Sequence, residues 1–446
     1  MNNQRLELVA DFYEYTMSNG YLNKNMENQI AYFDVFFRKV PDEGGYAIVA
    51  GLEQIINYIK NLSFDEEDIN YLRKQNKFSE DFLNYLENFR FTGDVWAIPE
   101  GTVVFPNEPL ITVRAPIIQA QLLETMLLLT TNHQSLIATK TSRIVKEAQG
   151  KPVMEFGARR AHGINAAVEG ARAAIIGGAI GTSCTLSAKE FNVPASGTMA
   201  HSWIQSFDSE YEAFKSYAEI YPDDCTLLID TYNTIESGLP NAIKVFNEVL
   251  KPKGYKPKAV RLDSGDLAYL SKKVRKILDE AGYADCKICA TNSLDEYLIK
   301  SLIEQDAKID SFGVGENLIT AKSEPVFGGV YKLVGIEKEN KIIPKIKVSE
   351  NVAKVTNPGF KKVYRFYDNE TQKAIADVIA LSDEIIDERE YMIFDPQNPW
   401  KKKLIKDYTI RELQEKIFEN GKLIYETDLN RRWCWNLPLN RFSNTN

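Results

Sequence analysis

Seven short apolar runs between residues 153 and 316 each end in glycine or polar residues. The run at 227–229 leads into Asp230, and the run at 259–262 leads into Asp263. Such runs, separated by longer segments with helical periodicity, are typical of buried parallel strands covered by helices. The central part of the chain therefore predicts an α/β unit in which strands and helices alternate.

Closure of these strands into an irregular TIM-like α/β barrel is the fold that we expect. In such barrels the active site is built at the carboxyl ends of the strands. Any one polar residue at such a position could be an ordinary helix cap or loop residue, but several together predict a site. Six polar residues follow these runs: His201, Asp230, Arg261, Asp263, Asp266 and Asn292.

Strand-like and turn-rich patterns occur on both sides of the predicted barrel, around residues 94–114 and again around residues 329–367. We therefore expect a discontinuous, β-rich second domain made of residues 1–130 plus 325–395. The α/β-barrel domain then covers residues 131–324.

Beyond residue 396 the chain becomes basic and aromatic, and we predict a C-terminal helical extension over residues 396–446. It includes Lys401-Lys402-Lys403, which suits a solvated face, and Trp433-Cys434-Trp435. We assign no function to this extension.

Composition narrows the possible functions. The 446 residues are 44% hydrophobic and 26% charged, as in soluble globular proteins, and the formal net charge of −8 argues against a nucleic-acid binder. No apolar stretch suits a membrane span or signal peptide, so we expect a cytoplasmic protein. Three histidines exclude a histidine-rich metal site, and we expect Cys286 and Cys289 to be buried structural thiols.

A glycine-containing segment after the last apolar run, Gly313 to Thr320, is a candidate phosphate loop, although a plain tight turn gives the same pattern. Asp263 and Asp266 are placed to bind ribose hydroxyls or to hold Mg²⁺ through water. Asp266 also suits the N-cap of a helix that starts at Leu267, and the two roles are compatible.

His201 is the histidine best placed for chemistry, because small residues precede it and it lies at a predicted strand end. A lone histidine is more often structural than catalytic. Here we expect Asp230 to orient the imidazole through one ring nitrogen, which leaves the other nitrogen free to act as acid, base or nucleophile.

Several longer segments resemble nicotinate phosphoribosyltransferases. They begin with Asp11-Phe12-Tyr13-Glu14-Tyr15-Thr16-Met17 and include Glu155-Phe156-Gly157-Ala158-Arg159-Arg160, Gly197-Thr198-Met199-Ala200-His201-Ser202-Trp203, Ile229-Asp230-Thr231-Tyr232-Asn233-Thr234, Arg261-Leu262-Asp263-Ser264-Gly265-Asp266 and Phe312-Gly313-Val314-Gly315. The matches run in order from about residue 11 to about residue 360, and so cover most of the chain.

The resemblance implies an ATP-dependent, ligase-type phosphoribosyltransferase. It would transfer the phosphoribosyl group of 5-phosphoribosyl 1-diphosphate to nicotinate, giving nicotinate mononucleotide and diphosphate. This is the first step of NAD biosynthesis from nicotinate, known as Preiss-Handler salvage. In the family the histidine matched by His201 is phosphorylated by ATP, which would make His201, Asp230 and Asp263 the catalytic residues, with Mg²⁺ as cofactor and Asp263 as a possible ligand through water.

The resemblance also implies the residues that bind the substrates. The expected nicotinate-binding residues are Tyr13, Phe156, Arg159, Thr182, Ser183 and Arg261, with Tyr13 supplied by the other subunit of a homodimer. The expected phosphoribosyl- and phosphate-binding residues are Ser264, Gly265, Asp266, Asn292, Gly313, Gly315, Glu316, Arg38, Lys332 and Lys347. The acidic side chain of Glu316 must point away from a phosphate, so only its backbone amide is expected to bind.

Three other interpretations stay open. Nicotinamide phosphoribosyltransferase has the same architecture and mechanism, but there an aspartate follows the Gly-Thr pair where this chain has Ser183, a neutral hydroxyl that can donate to a carboxylate. Quinolinate phosphoribosyltransferase should need a denser cluster of basic residues. A catalytically silent nucleotide-binding or scaffolding protein would be expected to lack His201, Asp230 or Asp263.

Overall fold

The computed structural model describes residues 6–350, 354–387, 389–395 and 398–426. They belong to two units: unit 1 consists of residues 1–136 and 326–446, and unit 2 of residues 137–325. The described residues contain no helix that is both long enough and apolar enough to span a membrane.

The N-terminal part of the chain contains helices that begin at side-chain caps. Asp65 accepts hydrogen bonds from two backbone N–H groups of α3, and Ser79 accepts one from α4. The elements are α1 (Phe12–Asn23), β1 (Ile30–Phe36), β2 (Ala47–Ile48), α2 (Leu52–Asn61), α3 (Glu66–Lys74), α4 (Glu80–Glu87), β3 (Asp94–Ala97), β4 (Val103–Val104), β5 (Ile111–Pro116), α5 (Ile117–Gln121) and α6 (Glu124–Glu147).

The central part alternates strands and helices, as the apolar runs predict. Its elements are β6 (Val153–Glu155), α7 (Ile164–Ile176), α8 (Thr185–Phe191), α9 (His201–Gln205), α10 (Glu210–Ile220), β7 (Thr226–Leu228), α11 (Leu239–Val245), β8 (Ala259–Leu262), α12 (Leu267–Glu280), β9 (Lys287–Ala290), α13 (Glu296–Glu304), β10 (Ser311–Val314) and α14 (Glu316–Ile319). Cys286 and Cys289 are buried in and beside β9 as free thiols, in agreement with a structural role.

Unit 2 is organised around a parallel sheet in the order β6-β10-β9-β8-β7. Thr182 forms single parallel bridges to Glu155 and to Ala195 beside β6. The expected closed barrel is not observed within residues 137–325, where β7 pairs only with β8. The physical reason is that residues 198–201, one of the seven runs expected to form strands, do not form a strand. The chain enters α9 at His201, and no ladder joins the two ends of the sheet.

The C-terminal part is rich in strands. Its elements are β11 (Val330–Lys338), β12 (Lys341–Pro344), β13 (Lys361–Asp368), β14 (Ala374–Leu381), β15 (Glu390–Phe394), β16 (Lys402–Lys406), β17 (Tyr408–Glu412), β18 (Glu415–Glu419) and β19 (Lys422–Leu423). The predicted helical extension is therefore wrong over its described part, since short alternating segments there pair as strands instead. Trp433-Cys434-Trp435 lies outside the described residues.

Unit 1 is built on a seven-stranded antiparallel sheet in the order β12-β11-β1-β5-β3-β18-β19. Strand β1, which lies between β11 and β5, is almost completely buried. A buried ion pair between Asp34 of β1 and Lys361 of β13, with 2.8 Å between Oδ2 and Nζ, links the first and last parts of the unit. Distant segments of the chain thus form one core.

Candidate active site

The carboxyl ends of the parallel strands bring the predicted polar residues to one edge of the sheet in unit 2. Asp230 follows β7, Asp263 follows β8, Asn292 follows β9 and Gly315 follows β10. Because neighbouring parallel strands end on the same side, residues far apart in sequence become neighbours. This edge is the candidate active site.

Arg261 organises the centre of this edge. Its guanidinium donates to Asp263 Oδ1 at 3.1 Å and to Thr291 Oγ1 at 3.0 Å. It also donates at 3.3 Å to the Thr198 hydroxyl and to the carbonyl of Met199, in the loop that precedes His201. One partly buried cation therefore connects two strand ends with the segment that carries the histidine.

The His201 imidazole lies between a hydroxyl and a carboxylate. Its Nδ1 is 3.0 Å from Thr231 Oγ1, and its Nε2 is 3.5 Å from Asp263 Oδ2. His201 is the first residue of α9. The start of the helix and the contacts with Thr231 and Asp263 therefore fix the orientation of its ring. The prediction that Asp230 orients His201 is wrong in this structure, and Asp263 is the carboxylate beside the ring.

The Asp230 carboxylate does not have the expected partner, because it faces the backbone at the carboxyl end of β8. Its Oδ2 accepts from the Asp263 N–H at 2.9 Å and from the Ser264 hydroxyl at 2.5 Å. These bonds hold Asp230 away from the imidazole and fix the start of the loop after β8. Its Oδ1 is buried without a hydrogen-bond partner, which is a costly state for a carboxylate oxygen.

Asp263 is held in its ionised form. Burial opposes ionisation, but hydrogen bonds from Thr291 and Arg261, together with the positive charge of Arg261 and the nearby His201, outweigh burial and lower the pKa of Asp263. A carboxylate with a lowered pKa stabilises positive charge on an adjacent imidazole or on a ribose ring. The site can therefore support charge separation.

The aromatic side chain of Phe156, directly after β6, is positioned by a glycine on the neighbouring strand. A Cβ atom at Gly313 would lie 2.5 Å from Cδ2 of the Phe156 ring and 2.7 Å from Cγ2 of Thr291. Such separations are far inside van der Waals contact. The absence of a side chain at Gly313 therefore makes space for the Phe156 ring. This is a packing role, and it differs from the phosphate-binding role that was expected for Gly313.

The predicted pair Thr182 and Ser183 lies beside Phe156, but the two residues differ in what they can offer a ligand. The Thr182 hydroxyl is buried, donates to Glu155 Oε2 at 2.6 Å and accepts from the Cys184 N–H at 2.9 Å. Its proton is committed, so Thr182 cannot also donate to a substrate in this arrangement. Ser183 is exposed, and so is Arg159 in the short 3₁₀ turn Ala158–Arg160.

The acidic side chain in the candidate phosphate loop is paired with basic side chains. The Glu316 carboxylate lies 2.7 Å from Lys322 Nζ and 3.7 Å from Arg160 Nε. The hydrogen bond and charge of Lys322 lower the pKa of Glu316. Asn292, on the adjacent exposed loop, has a left-handed backbone with φ of 87°, a conformation that is uncommon outside glycine and is found at functional sites.

The loop after β8 is exposed and contains Ser264, Gly265 and Asp266. Gly265 has φ of 77°, which glycine adopts without the Cβ penalty. Asp266 Oδ1 accepts from the Tyr269 N–H at 3.0 Å and so caps α12. The capping role anticipated for Asp266 is present, and it leaves the second carboxylate oxygen for other contacts.

Four predicted residues belong to unit 1. Burial lowers the pKa of Lys332, and the positive charges of Arg38 and Lys347 lower it further while Glu124 opposes them, so these basic groups are neighbours. Arg38 Nε is buried without a hydrogen-bond partner. Tyr13 is 44% exposed, and its pKa is raised by burial and by the same Glu124, so Tyr13 and Lys332 share an acidic neighbour.

Lys140 of α6 is a buried basic residue. It forms an ion pair with Glu296, with 2.7 Å between Nζ and Oε1, while donating to Ser323 at 2.8 Å. It therefore connects α6 to the start of α13 and to the segment after α14. Its charge is compensated inside unit 2.

Sequence reasoning did not single out Thr231, Thr291 or Glu155. Thr231 contacts the imidazole, Thr291 hydrogen-bonds both Arg261 and Asp263, and Glu155 holds Thr182. Each of the three lies next in sequence to a residue that the sequence analysis had singled out. Proximity to a strand end was therefore the one feature of the sequence that could have identified them. Threonine and buried glutamate are too common for that signal to be specific.

A divalent cation would need few protein ligands here. The described residues contain no group of three or more His, Cys, Asp or Glu side chains that could hold a metal. Mg²⁺ is commonly bound by one or two carboxylates together with substrate phosphates. The unpaired, buried Oδ1 of Asp230 and the neighbouring Asp263 carboxylate suit that mode.

Comparisons with known proteins indicate one family over most of the chain. Residues 8–132 match the model of the nicotinate phosphoribosyltransferase N-terminal domain, residues 152–378 match the nicotinate phosphoribosyltransferase family, and residues 360–431 match the C-terminal domain. The chain is 46% identical over 422 residues to nicotinate phosphoribosyltransferase of Bacillus subtilis (strain 168), covering 94% of this chain and 86% of the relative.

More distant relatives give the same picture. The chain is 34% identical to nicotinate phosphoribosyltransferase of Caenorhabditis elegans, over 94% of this chain and 84% of the relative. Its fold is similar to the crystal structure of human nicotinic acid phosphoribosyltransferase, with a TM-score of 0.83, 25% sequence identity and coverage of 95% of this chain and 92% of that chain.

Proposed function

Because the chain belongs to the nicotinate phosphoribosyltransferase family and acts as an enzyme of NAD biosynthesis, we propose that it couples ATP hydrolysis to phosphoribosyl transfer through a phosphohistidine at His201. The observation that carries this proposal is the His201 imidazole, held between Thr231 and Asp263 at the edge of the parallel sheet. These two oxygen neighbours fix the orientation of the imidazole ring, and a nucleophilic side chain needs such orientation by its neighbours.

In the proposed cycle a His201 ring nitrogen attacks the γ-phosphorus of ATP, the bond to the β-phosphate oxygen breaks, and ADP leaves. The nearby Asp263 carboxylate stabilises the positive charge that develops on the imidazole. Water later hydrolyses the phosphohistidine and releases phosphate. ATP thus supplies energy, and its phosphoryl group does not enter the product.

In the transfer step the pyridine nitrogen of nicotinate forms a bond to the anomeric carbon of 5-phosphoribosyl 1-diphosphate as the bond to diphosphate breaks. Positive charge develops on the ribose, next to the ionised Asp263. Mg²⁺, when bound near Asp230 and Asp263, would neutralise charge on the leaving diphosphate. Asp263 and Asn292 would hold ribose hydroxyls, with Ser264, Gly265 and Asp266 beside them.

For the remaining phosphates we propose two groups of residues. The backbone amides of Gly315 and Glu316 would bind the 5′-phosphate, which is compatible with the pairing of the Glu316 carboxylate with Lys322. In unit 1, Arg38, Lys332 and Lys347 would bind polyphosphate, since clustering of like charges with an unpaired Arg38 Nε favours an anion.

For the base we propose that nicotinate stacks on Phe156 and that its carboxylate is bound by Ser183 and by the basic side chains Arg159 and Arg261. Tyr13 of the neighbouring subunit would cover the other face of the ring in a homodimer, and its exposure supports this. Nicotinamide is the alternative base. A cytoplasmic location also stays a prediction.

Incubation with γ-labelled ATP tests the proposal. We expect label that is stable in base and labile in acid, absent from His201→Ala and present in His162→Ala, a matched variant of an exposed histidine. Wild-type protein that stays unlabelled while it still forms nicotinate mononucleotide would refute the phosphohistidine. Protein that neither becomes labelled nor forms product would favour a nucleotide-binding module.

A further inference from the structure

The side chain of Glu155, the residue before Phe156, is completely buried. Its Oε2 accepts from the Thr182 hydroxyl at 2.6 Å, and its Oε1 accepts a short hydrogen bond from the Gly157 N–H. Both oxygens are therefore occupied by neutral donors. A carboxylate in this state cannot reach a substrate or exchange a proton with one.

One bond of Glu155 fixes the segment that carries the aromatic ring. The hydrogen bond to the Gly157 N–H spans Phe156, so the carboxylate closes a short loop around that residue. The Phe156 N–H donates to Val314 O at 2.7 Å, which pins the same segment to β10. The backbone under the ring is therefore fixed on both sides.

The other bond of Glu155 fixes the segment that carries Ser183. Because the Thr182 hydroxyl donates to Glu155, its lone pairs are available for the Cys184 N–H, which donates to it at 2.9 Å. The Ser183 N–H also donates to the Glu155 carbonyl at 2.9 Å. Ser183 is thus exposed on a turn whose residues on both sides are tied to Glu155.

From this network we infer that Glu155, acting through Thr182, is the positioning residue that sets the spacing between Phe156 and Ser183 and thereby the affinity for the pyridine carboxylate. The inference rests on the proposed function, since it assigns Phe156 and Ser183 to nicotinate. Preorganised groups bind more tightly than groups that must be ordered on binding. The expected effect of loosening Glu155 is therefore on nicotinate and not on the sugar diphosphate.

The residues that contact the sugar diphosphate in the proposal are held by a separate network. Asp263 is fixed by Arg261, Thr291 and Asp230. No hydrogen bond joins Glu155 or Thr182 to these groups in the described part of unit 2. Loss of the Glu155 network should leave binding of 5-phosphoribosyl 1-diphosphate unchanged.

The test compares Thr182→Val, which removes the hydroxyl at nearly constant volume, with Thr182→Ser, which keeps it, and with Glu155→Gln. We expect Thr182→Val and Glu155→Gln to raise the KM for nicotinate about tenfold, as for the loss of a buried hydrogen bond. The KM for 5-phosphoribosyl 1-diphosphate should stay within about twofold of the wild type. Thr182→Ser should restore nicotinate binding.

The combined Glu155→Gln/Thr182→Val variant should be impaired less than the sum of the two single variants, because both disrupt the same hydrogen bond between Glu155 and Thr182. An unchanged KM for nicotinate in soluble Thr182→Val, or parallel losses for both substrates, would overturn the inference. Wild-type protein assayed alongside separates the two claims: if it does not convert nicotinate, the proposed function fails, and if it does while the variants behave as wild type, only the role of Glu155 fails.

Discussion

The Nε2 atom of His201 lies 3.5 Å from Oδ2 of Asp263, whereas the carboxylate of Asp230 is turned toward the Asp263 N–H. Asp263 therefore connects the imidazole to the position where the ribose is proposed to bind. The Asp263 carboxylate can therefore stabilise positive charge on the imidazole or on the ribose. This relationship leads to the first prediction.

Asp263→Asn removes the negative charge beside the imidazole while nearly keeping the shape. We expect kcat/KM to fall on the order of 100-fold or more, because charge that develops on His201 and on the ribose loses its stabilising partner. Steady-state kinetics against both substrates measure the loss. Asp285→Asn, a control whose side chain is 82% exposed, should behave as wild type, and a wild-type rate in Asp263→Asn would contradict the role assigned to Asp263.

Gly313→Ala tests whether nicotinate binding depends on the position of the Phe156 ring. The added methyl group would overlap the Phe156 ring at 2.5 Å, so the ring must move and the KM for nicotinate should rise about tenfold. Gly20→Ala is the matched control, since a Cβ at Gly20 has no atom within 4 Å. Unchanged kinetics in Gly313→Ala would show that Phe156 does not need its present position.

The homodimer can be tested by mixing two inactive variants. Co-expressed or refolded mixtures of Tyr13→Ala and His201→Ala should regain about a quarter of wild-type activity, because half of the dimers are mixed and each mixed dimer contains one intact composite site. Recovered activity above the sum of the separate variants is the expected result. If a dimeric mixture shows no recovery, Tyr13 does not act across the subunit boundary.

Stability should depend on pH through Glu108 in unit 1. Burial, together with the nearby carboxylate of Asp377, raises the pKa of Glu108 to about 9. The folded protein then keeps a proton that the unfolded chain releases above its ordinary pKa of 4.5, so the free energy of unfolding falls as pH rises through this window up to about 9.

Urea unfolding at several pH values checks this contribution. Between the unfolded and folded pKa values, Glu108 lowers the free energy of unfolding by up to ~1.4 kcal/mol per pH unit. Glu108→Gln, which stays neutral, should lose less stability than wild type between pH 6 and 9, while Glu304→Gln, an exposed control, should keep the wild-type slope. Equal slopes in wild type and Glu108→Gln would contradict a buried protonated carboxyl.

Parallel strands and the polar residues at their ends could be predicted from sequence, because the strands are rich in buried apolar residues, such as Ala259, Val260 and Leu262 of β8. Closure of these strands into a barrel could not be predicted from the sequence. Whether two sheet ends join depends on ladder hydrogen bonds between segments, and the segment at 198–201 enters a helix at His201. The strands β16 to β19 were missed because short, mixed polar segments carry little periodicity.

The candidate site shows the same limit at the level of single side chains. Spacing could place Asp230 and Asp263 at neighbouring strand ends, but it could not tell which carboxylate reaches His201. That choice follows from the Asp263 N–H and the Ser264 hydroxyl, which already occupy Asp230 Oδ2. In the same way the Thr182 proton is committed to Glu155, a partner that sequence separation does not reveal.

The most direct measurement of the central claim is product formation from 5-phosphoribosyl 1-diphosphate with nicotinate or nicotinamide, each with and without ATP, in the presence of Mg²⁺. We predict nicotinate mononucleotide and diphosphate, faster with ATP than without it and with ADP and phosphate released, and little product from nicotinamide. Preference for the amide would contradict the role given to Ser183, and a rate indifferent to ATP would contradict phosphorylation of His201 as part of the cycle.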